Sequence, residues 1–274
     1  MGEKDIPRGI HVVHDGPPDA PPLLLIHGSA ASGATWSPLI PALASRHHVI
    51  RVDLPGCGRS APAPKYDVPL QAAGVAAVLD GLGLGLGQAD VVGHSSGGYV
   101  ATALAEQRPD LVRSLALLSS GPSLDAFLPQ PLILRALLAP PLGPLLWAVR
   151  SDGVTRKALN ATAARPVDLP DEVVADLRRM TYRTTRAVLR CNSAYVAEKS
   201  VPDRLKALDV PILVIFGAAD PRWEPSSVHQ YDAVPGARVK TLAGVGHLVM
   251  FEEPERTGRL LLDFTASRPS VPET

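Results

Sequence analysis

The sequence predicts an α/β protein built on a mostly parallel central sheet with helices on both faces. Between Leu23 and Ser120, short apolar runs alternate with helix-like segments, which is the pattern of parallel strands joined by crossover helices. The runs are apolar at successive positions, as expected for strands buried on both faces of a sheet. A gap of more than 90 residues then separates the run at 114–118 from the run at 212–216, so an insertion interrupts the sheet.

Six apolar runs are predicted to form the main strands. They are LLLI at 23–26, HVIRV at 48–52, DVVG at 90–93, SLALL at 114–118, ILVIF at 212–216 and VKTLA at 239–243. Helix-like segments lie between or after these runs, at 35–45, 68–82, 96–108 and 253–266. Before the first run only HVV at 11–13 is strand-like, so we expect the N-terminal part of the sheet to be short.

The insertion, residues 122–205, is predicted to be a helical cap that follows the sixth strand of the fold and lies over the carboxyl edge of the sheet. The core domain then comprises residues 1–121 and 206–274. Taken as one helix, residues 177–191 carry a basic stripe on one side, formed by Arg178, Arg179, Arg183, Arg186 and Arg190. This stripe is either a solvated face or a surface that attracts an anionic substrate or carrier.

The charge balance argues against nucleic acid and membrane partners. Lys and Arg total 27, as do Asp and Glu, so no overall field attracts a polyanion. No run reaches the roughly 18 apolar residues of a membrane span, and the start of the chain lacks the apolar segment of a secretory signal. The two cysteines, Cys57 and Cys191, are too few for a disulfide framework. We therefore expect a cytoplasmic monomer or homodimer that acts on a small molecule.

No motif indicates a cofactor or a metal. The glycines of GLGLGLG at 81–87 are spaced GxGxGxG rather than GxGxxG, and the stretch leads into a strand rather than a helix, so it predicts a connection and not a dinucleotide site. Neither cysteine lies in a metal-ligand spacing, and His47 and His48 have no third ligand nearby. We expect the protein to use neither kind of group.

The strongest chemical signal is the G-x-S-x-G turn centred on Ser95. The segment Gly93-His94-Ser95-Ser96-Gly97 follows an apolar strand and opens the helix-like segment at 96–108. In such a turn the serine sits at a strained backbone position, and the flanking glycines leave room where a Cβ would collide. The serine oxygen is thereby presented above the sheet, at a helix N-terminus that favours a developing oxyanion. Ser95 is the predicted nucleophile, and Ser96 is a competing candidate.

A serine hydroxyl needs an adjacent base and an acid that orients the base. Only His229 and His247 follow Ser95 in the chain. His247 lies in the loop after the VKTLA strand, at the same sheet edge as Ser95, and is the predicted base, whereas His229 lies inside a helix-like segment. Asp220, which follows ILVIFGAA, is the predicted acid, and Asp125, after the preceding strand, is the alternative.

The loop after the first long strand, residues 26–33, is predicted to complete an oxyanion hole. Its Ser29 backbone N–H would act together with the Ser96 backbone N–H. His27 in the same loop is expected to be a structural hydrogen-bonding residue, and Asp53 is expected to shape the neighbouring DLPGCGRS turn.

Taken together, these segments resemble the α/β-hydrolase superfamily over essentially the whole chain. The matching segments, in order, are LLLIHGSAASGATW, HVIRVDLPGCGRS, VVGHSSGGY, PILVIFGAADPRW and GVGHLVMFEEPE. The resemblance is to lidded members without a cofactor, and it implies a catalytic triad of Ser95, Asp220 and His247. It also implies hydrolysis of an ester, lactone or thioester of a small molecule through an acyl-enzyme.

Other activities occur on the same scaffold and remain alternatives. One is hydrolysis of a carbon–carbon bond, and another is a lyase, cyclase or acyltransferase reaction of secondary metabolism. A third is that the protein is a small-molecule receptor with a vestigial triad. Carbon–carbon bond hydrolases usually carry Trp soon after the catalytic histidine, where this chain has Leu248 and Val249, and haloalkane dehalogenases carry Asp where this chain has Ser95. Ester hydrolysis is therefore the leading expectation.

Overall fold

Seven strands form one sheet in the computed structural model, which describes residues 9–83, 89–129, 135 and 139–267. In chain order the strands are β1 (Val12–Asp15), β2 (Pro22–Ile26), β3 (His48–Val52), β4 (Ala89–His94), β5 (Val112–Leu118), β6 (Ile212–Gly217) and β7 (Arg238–Leu242). Their order across the sheet is β1-β3-β2-β4-β5-β6-β7. Only β1 is antiparallel to its neighbour, so the predicted α/β class with a mostly parallel sheet is confirmed.

The helices lie in the intervals between these strands and in the long insertion. In chain order they are α1 (Ile40–Leu43), α2 (Val68–Gly81), α3 (Ser96–Gln107), α4 (Leu142–Val149), α5 (Asp152–Asn160), α6 (Asp171–Arg179), α7 (Tyr182–Glu198), α8 (Val201–Leu205), α9 (Val249–Glu252) and α10 (Pro254–Ala266). Two 3₁₀ segments, Gly33–Leu39 and Pro225–Ala233, precede α1 and β7. None of the helices within the described ranges is long and apolar enough to cross a bilayer.

Burial of both sheet faces explains why the strands are apolar at successive positions. Leu24 and Ile26 of β2 point into a core that contains side chains of α2 and α3. Leu23 and Leu25 point into a second core, formed with the 33–43 segment and α10. Side chains alternate between the two faces with a period of two, so the inner strands β2 to β6 each contribute buried residues to both cores. The edge strands β1 and β7 are more exposed.

The insertion follows β5, which is the fifth strand of the described part of the chain, whereas the sequence predicts it after the sixth strand of the fold. The difference lies before Pro22, where the described residues contain one strand, β1, rather than two. The segment HVV predicts that the N-terminal part of the sheet is short, and β1 is the one strand that it forms in the described residues. Of the glycine-rich stretch at 81–87, residues 84–87 lie outside the described residues.

The expected single helix over 177–191 is wrong, because the chain breaks at Met180 and Thr181. Met180 has an extended backbone (ψ 132°), and the Thr181 side chain accepts a hydrogen bond from the Thr184 backbone N–H, which starts α7. Arg178 and Arg179 therefore belong to α6, where they pair with Asp152 and Asp176. The other three arginines of the proposed stripe, Arg183, Arg186 and Arg190, lie on α7, so the stripe is divided between two helices.

The parallel sheet brings the loops after β2, β4, β5, β6 and β7 to one edge. The pairing runs in register from Ile26 to Gly93, from Gly93 to Leu117 and from Leu117 to Val214. Loops at the carboxyl ends of neighbouring parallel strands meet in space, which is where such sheets place their functional groups. Ser29, Ser95, Asp220 and His247 all follow strands at this edge.

Candidate active site

The backbone at Ser95 is strained and held in place by three hydrogen bonds. Ser95 has φ +53° and ψ −125°, a conformation that residues with a Cβ rarely adopt. Its N–H donates to the Leu118 carbonyl (2.8 Å), and its own carbonyl accepts from the Gly98 N–H (3.0 Å) and from Ser120 Oγ (2.7 Å). Such strain persists only where the surroundings fix the chain, and it is concentrated at functional sites.

Glycines make the Ser95 turn possible because neighbouring backbones pass through the space of their missing side chains. A Cβ at Gly93 would lie 2.5 Å from the Gly97 carbonyl oxygen. A Cβ at Gly97 would meet the carbonyl oxygens of Ile26 and His27, and one at Gly28 would lie 2.9 Å from the Ser95 Cβ. The G-x-S-x-G pattern thus lets β2, β4 and the start of α3 approach one another closely enough to present the serine.

His247 and Asp220 form a buried pair at the same sheet edge. Nδ1 of His247 lies 2.7 Å from Oδ2 of Asp220, and their side chains are 6% and 1% exposed. The other Asp220 oxygen accepts the Arg222 backbone N–H (2.9 Å), so the carboxylate cannot turn away from the ring. A neutral imidazole carries one ring proton; when that proton is on Nδ1, bonded to Asp220, Nε2 is left with a free lone pair.

The backbone of His247 is anchored from two sides. Its N–H donates to the Thr162 carbonyl (2.9 Å), which belongs to the insertion. Its carbonyl accepts from His94 Nε2 (2.9 Å), and the two histidine rings lie 4.9 Å apart between centroids. Since His94 directly precedes Ser95 in the chain, this contact places His247 beside the Ser95 turn.

His94 is a structural histidine that stays neutral. Burial, with the neighbouring His247 as a smaller cause, lowers the pKa of His94 to about 3. A carbonyl can only accept, so the His94 proton resides on Nε2. The ring thus orients His247 without adding a positive charge beside it. The role of His94 could not be predicted from the sequence, because the variable position of a G-x-S-x-G motif carries no signal of its own.

The hydroxyl groups of Ser29 and Ser96 are hydrogen-bonded to each other, and a residue of the insertion donates a further hydrogen bond to Ser29. Ser29 Oγ lies 2.7 Å from Ser96 Oγ, and Asn192 Nδ2 of α7 donates to Ser29 Oγ (2.8 Å). The structure therefore brings together the two residues whose backbone N–H groups were predicted to bind an oxyanion. Asn192 was missed, although it lies four residues after the buried Val188 and so on the inner face of α7.

A cavity of about 300 Å³ opens beside Ser95 and is called the Ser95 cavity below. Its polar wall contains Ser29, Ser95, Ser96, Tyr99, Ser123, Asn192, Ser193 and Arg222. Its apolar wall contains Leu124, Phe127, Leu189, Val196 and Trp223. An apolar cavity with a few convergent polar groups is the usual form of a small-molecule site, and this volume is at the small end of the range.

Trp223 connects the Ser95 cavity to the histidine. Its ring centroid lies 6.4 Å from that of His247, and its Nε1–H donates to the Ser119 carbonyl (3.0 Å). A Cβ at Gly121 would collide with the indole ring, with three ring atoms within 2.5 Å, so the chain after β5 needs a glycine there. Neither Trp223 nor its neighbour Arg222 was singled out from the sequence, because a side chain that follows a strand can point towards or away from a site.

The alternative residues lie away from this arrangement. Asp125 is exposed, and a hydrogen bond from the Ser123 hydroxyl lowers the pKa of its carboxyl. His229 is exposed and pairs with Asp232, three residues later (3.0 Å). Neither residue bonds to His247 or Asp220.

His27 and Asp53 have the structural contacts that the sequence analysis expected. His27 Nε2 accepts the Leu54 N–H (2.9 Å), and its Nδ1 donates to the Gly28 carbonyl (2.8 Å). Asp53 accepts the Gly33 and Arg59 N–H groups at 2.7 and 2.9 Å. His48 stacks on His14, and within the described part of the chain no group of three or more His, Cys, Asp or Glu side chains could hold a metal ion.

Several known proteins are similar to this chain in sequence or in fold. A pimeloyl-[acyl-carrier protein] methyl ester esterase of Neisseria meningitidis serogroup B is 30% identical over 251 residues, which cover 88% of this chain and 91% of that protein. A bacterial membrane phospholipase A has 26% identity and a TM-score of 0.76 over 93% of this chain and 82% of its own. A carboxylesterase from Bacillus subtilis has the same fold, with a TM-score of 0.71 at 22% identity over 96% of this chain and 90% of its own.

The esterases among these proteins are hydrolases acting on ester bonds, which is the enzyme class that the sequence predicts for this chain. The α/β hydrolase family itself matches residues 23–260, which include every strand from β3 to β7 and all four residues discussed at the carboxyl edge. The chain therefore belongs to the α/β hydrolase family.

Proposed function

We propose that this protein is a serine hydrolase that cleaves an ester, lactone or thioester of a small molecule through an acyl-enzyme on Ser95. The observation that carries the proposal is the 2.7 Å bond between His247 Nδ1 and Asp220 Oδ2, at the sheet edge where the strained Ser95 turn lies. A base fixed in this tautomer beside a presented serine is the arrangement that nucleophilic acyl transfer requires.

The reaction proceeds in two halves. Ser95 Oγ attacks the carbonyl carbon while His247 Nε2 takes the hydroxyl proton, and Asp220 stabilises the imidazolium. The proton then passes to the leaving alcohol or thiol, and the acyl group stays on Ser95. A water molecule, deprotonated by the same Nε2, attacks the acyl-enzyme, and the proton returns to Ser95 as the carboxylic acid leaves.

The backbone N–H groups of Ser29 and Ser96 are proposed to bind the oxyanion. The hydroxyl link between these residues (2.7 Å) holds the loop after β2 against the start of α3. Asn192 donates to this link from α7, so the insertion helps to set the position of both amides. Donors fixed before the reaction cost no reorganisation when charge develops, which is why they stabilise the transition state.

We propose that residues 122–205 act as a cap over a core of residues 1–121 and 206–274. In support, α7 contributes Leu189 and Asn192 to the wall of the Ser95 cavity, and the Thr162 carbonyl holds the His247 backbone. The choice of substrate then resides in the insertion. A cytoplasmic monomer or homodimer fits the balanced charge and the two unpaired cysteines.

An activity panel of p-nitrophenyl esters, lactones and thioesters tests the proposal. Wild-type protein is expected to hydrolyse at least one class and to incorporate oxygen from labelled water into the acid product. Ser95→Ala should abolish this turnover and keep the fold, whereas Ser193→Ala, which removes another hydroxyl from the same cavity wall, should remain active. Turnover by Ser95→Ala, or product without labelled oxygen, would contradict the proposal.

A further inference from the structure

Arg222 places a guanidinium group in the wall of the Ser95 cavity. Its backbone is fixed at both ends, because its N–H donates to Asp220 (2.9 Å) and its carbonyl accepts from the Leu128 N–H (2.9 Å). The guanidinium carbon lies 5.5 Å from the centre of the Phe127 ring, which lines the same cavity. The side chain of Arg222 is therefore positioned in the wall of the cavity that Ser95 also lines.

Within the described residues, this guanidinium forms no ion pair. None of the ion pairs between described residues involves Arg222, and its guanidinium donates no hydrogen bond to any of them. Its Nε is buried without a partner, and burial, only partly opposed by Asp220, lowers the pKa of Arg222. Arg204, which is buried, shows the ordinary alternative, since Glu106 and Glu198 pair with it at 3.3 Å.

A buried charge without a partner is costly, so proteins retain one where a ligand supplies the partner. The ligand must reach Arg222 through the Ser95 cavity, whose wall contains both Arg222 and the proposed nucleophile. A guanidinium binds a carboxylate through two parallel N–H donors. One guanidinium charge neutralises a carboxylate in an apolar cavity, whereas a phosphate dianion would keep a net charge there.

We propose that Arg222 is the anion-binding residue of the Ser95 cavity, and that the substrates are small esters or lactones carrying a free carboxylate. This inference rests on the proposed ester hydrolysis and names its substrate class. The aliphatic side chains of Leu124, Leu189 and Val196 between the polar groups suit a short methylene chain. Monoalkyl esters of aliphatic dicarboxylic acids combine these features, and the volume of about 300 Å³ limits them to short members.

The test compares matched substrates on matched variants. Monomethyl esters of dicarboxylic acids from succinate to suberate are paired with neutral methyl esters of the same chain length. Wild-type protein is expected to prefer the best anionic ester by about tenfold or more in kcat/KM, since hydrogen bonds to charged groups are the strong ones. Arg222→Met should bring the ratio to about one, while Arg256→Met, which removes an exposed arginine of α10, should retain the wild-type ratio.

A binding measurement separates this inference from the proposed function. Ser95→Ala, titrated calorimetrically with the uncleaved anionic esters, should bind them about tenfold more tightly than Ser95→Ala combined with Arg222→Met. This comparison decides the role of Arg222 even if the wild-type protein hydrolyses no ester.

Thermal unfolding of Arg222→Met distinguishes ligand binding from a structural role. Removal of a half-buried charge that has no ion-pair partner should leave the Tm unchanged or raise it, whereas loss of a structural residue would lower it. Equal kcat/KM for anionic and neutral esters in the wild-type protein, or equal binding by the two Ser95→Ala proteins, would overturn the inference.

Discussion

Asn192, on helix α7 of the insertion, donates a hydrogen bond of 2.8 Å to the hydroxyl of Ser29, 163 residues earlier in the chain. Ser29 in turn contacts Ser96, the first residue of helix α3. The insertion is thus hydrogen-bonded to Ser29 and, through Ser29, linked to Ser96, the other residue proposed to bind the oxyanion. A change in the position of α7 is expected to alter catalysis as well as substrate access.

Asn192→Ala should lower kcat for a p-nitrophenyl ester by roughly 3- to 10-fold, because Ser29 loses the donor that orients it. Steady-state kinetics measures this effect. Ser193→Ala, the next residue of the same helix and part of the same cavity wall, is the control and should retain the wild-type kcat. Equal kcat in Asn192→Ala and wild type would show that the link has no catalytic consequence.

Asp220→Asn should reduce kcat by about 10⁴-fold with little change in Tm, because the amide no longer fixes the His247 tautomer. Asp125→Asn is the matched control, since Asp125 is the alternative acid and is exposed. Kinetics and thermal unfolding of both variants decide between the two residues. Loss of activity in Asp125→Asn with activity retained in Asp220→Asn would reverse the assignment.

His94→Gln should make the stability of the protein less sensitive to acid. The pKa of His94 is about 3 in the fold and about 6.5 when unfolded, so between these values the unfolded chain binds the extra proton and stability falls as the pH falls. For one proton taken up on unfolding, the free energy of unfolding falls by about 1.4 kcal/mol for each unit by which the pH is lowered in this range.

Urea unfolding between pH 7 and 4 measures this effect. The His94→Gln profile should be shallower than that of wild type. His229→Gln, which changes an exposed histidine, is the control and should follow the wild-type profile. Parallel profiles for His94→Gln and wild type would contradict the assignment of His94 as a neutral, buried group.

Gly93→Ala should destabilise the protein severely, because the new methyl group would lie 2.5 Å from a backbone carbonyl that cannot move away. Gly258→Ala, in helix α10, is the control. Its Cβ would meet Ala42 at 3.5 Å, an ordinary contact, and alanine favours a helix over glycine by about 1 kcal/mol. Expression and Tm measure both variants, and a Gly93→Ala protein as stable as wild type would refute the steric account.

The sheet and the proposed triad could be predicted because their signals are local. Each long strand is an apolar run with clear ends, and parallel pairing then brings Ser95, Asp220 and His247 to one edge whatever the detailed packing. The G-x-S-x-G spacing has a local steric cause as well, since Gly93 and Gly97 leave space for neighbouring backbones.

The insertion could not be predicted to the same depth. The break at Met180 depends on a hydrogen bond by the Thr181 side chain, which competes with a helix that the pattern of arginines would equally allow. Asn192 and Arg222 gain their roles from what lies opposite them in the fold, and one sequence carries no record of those neighbours. The number of strands before the insertion differs by one from the expectation, because the described residues contain a single strand, β1, before Pro22.

Identification of the residue that carries the acyl group tests the central claim most directly. Wild-type protein is treated with a fluorophosphonate, digested and analysed by tandem mass spectrometry, with Asp220→Asn as a control for slowed labelling. We predict one adduct, on the hydroxyl of Ser95, which Ser95→Ala abolishes and Ser96→Ala does not. An adduct on Ser96, or labelling that persists in Ser95→Ala, would contradict the account.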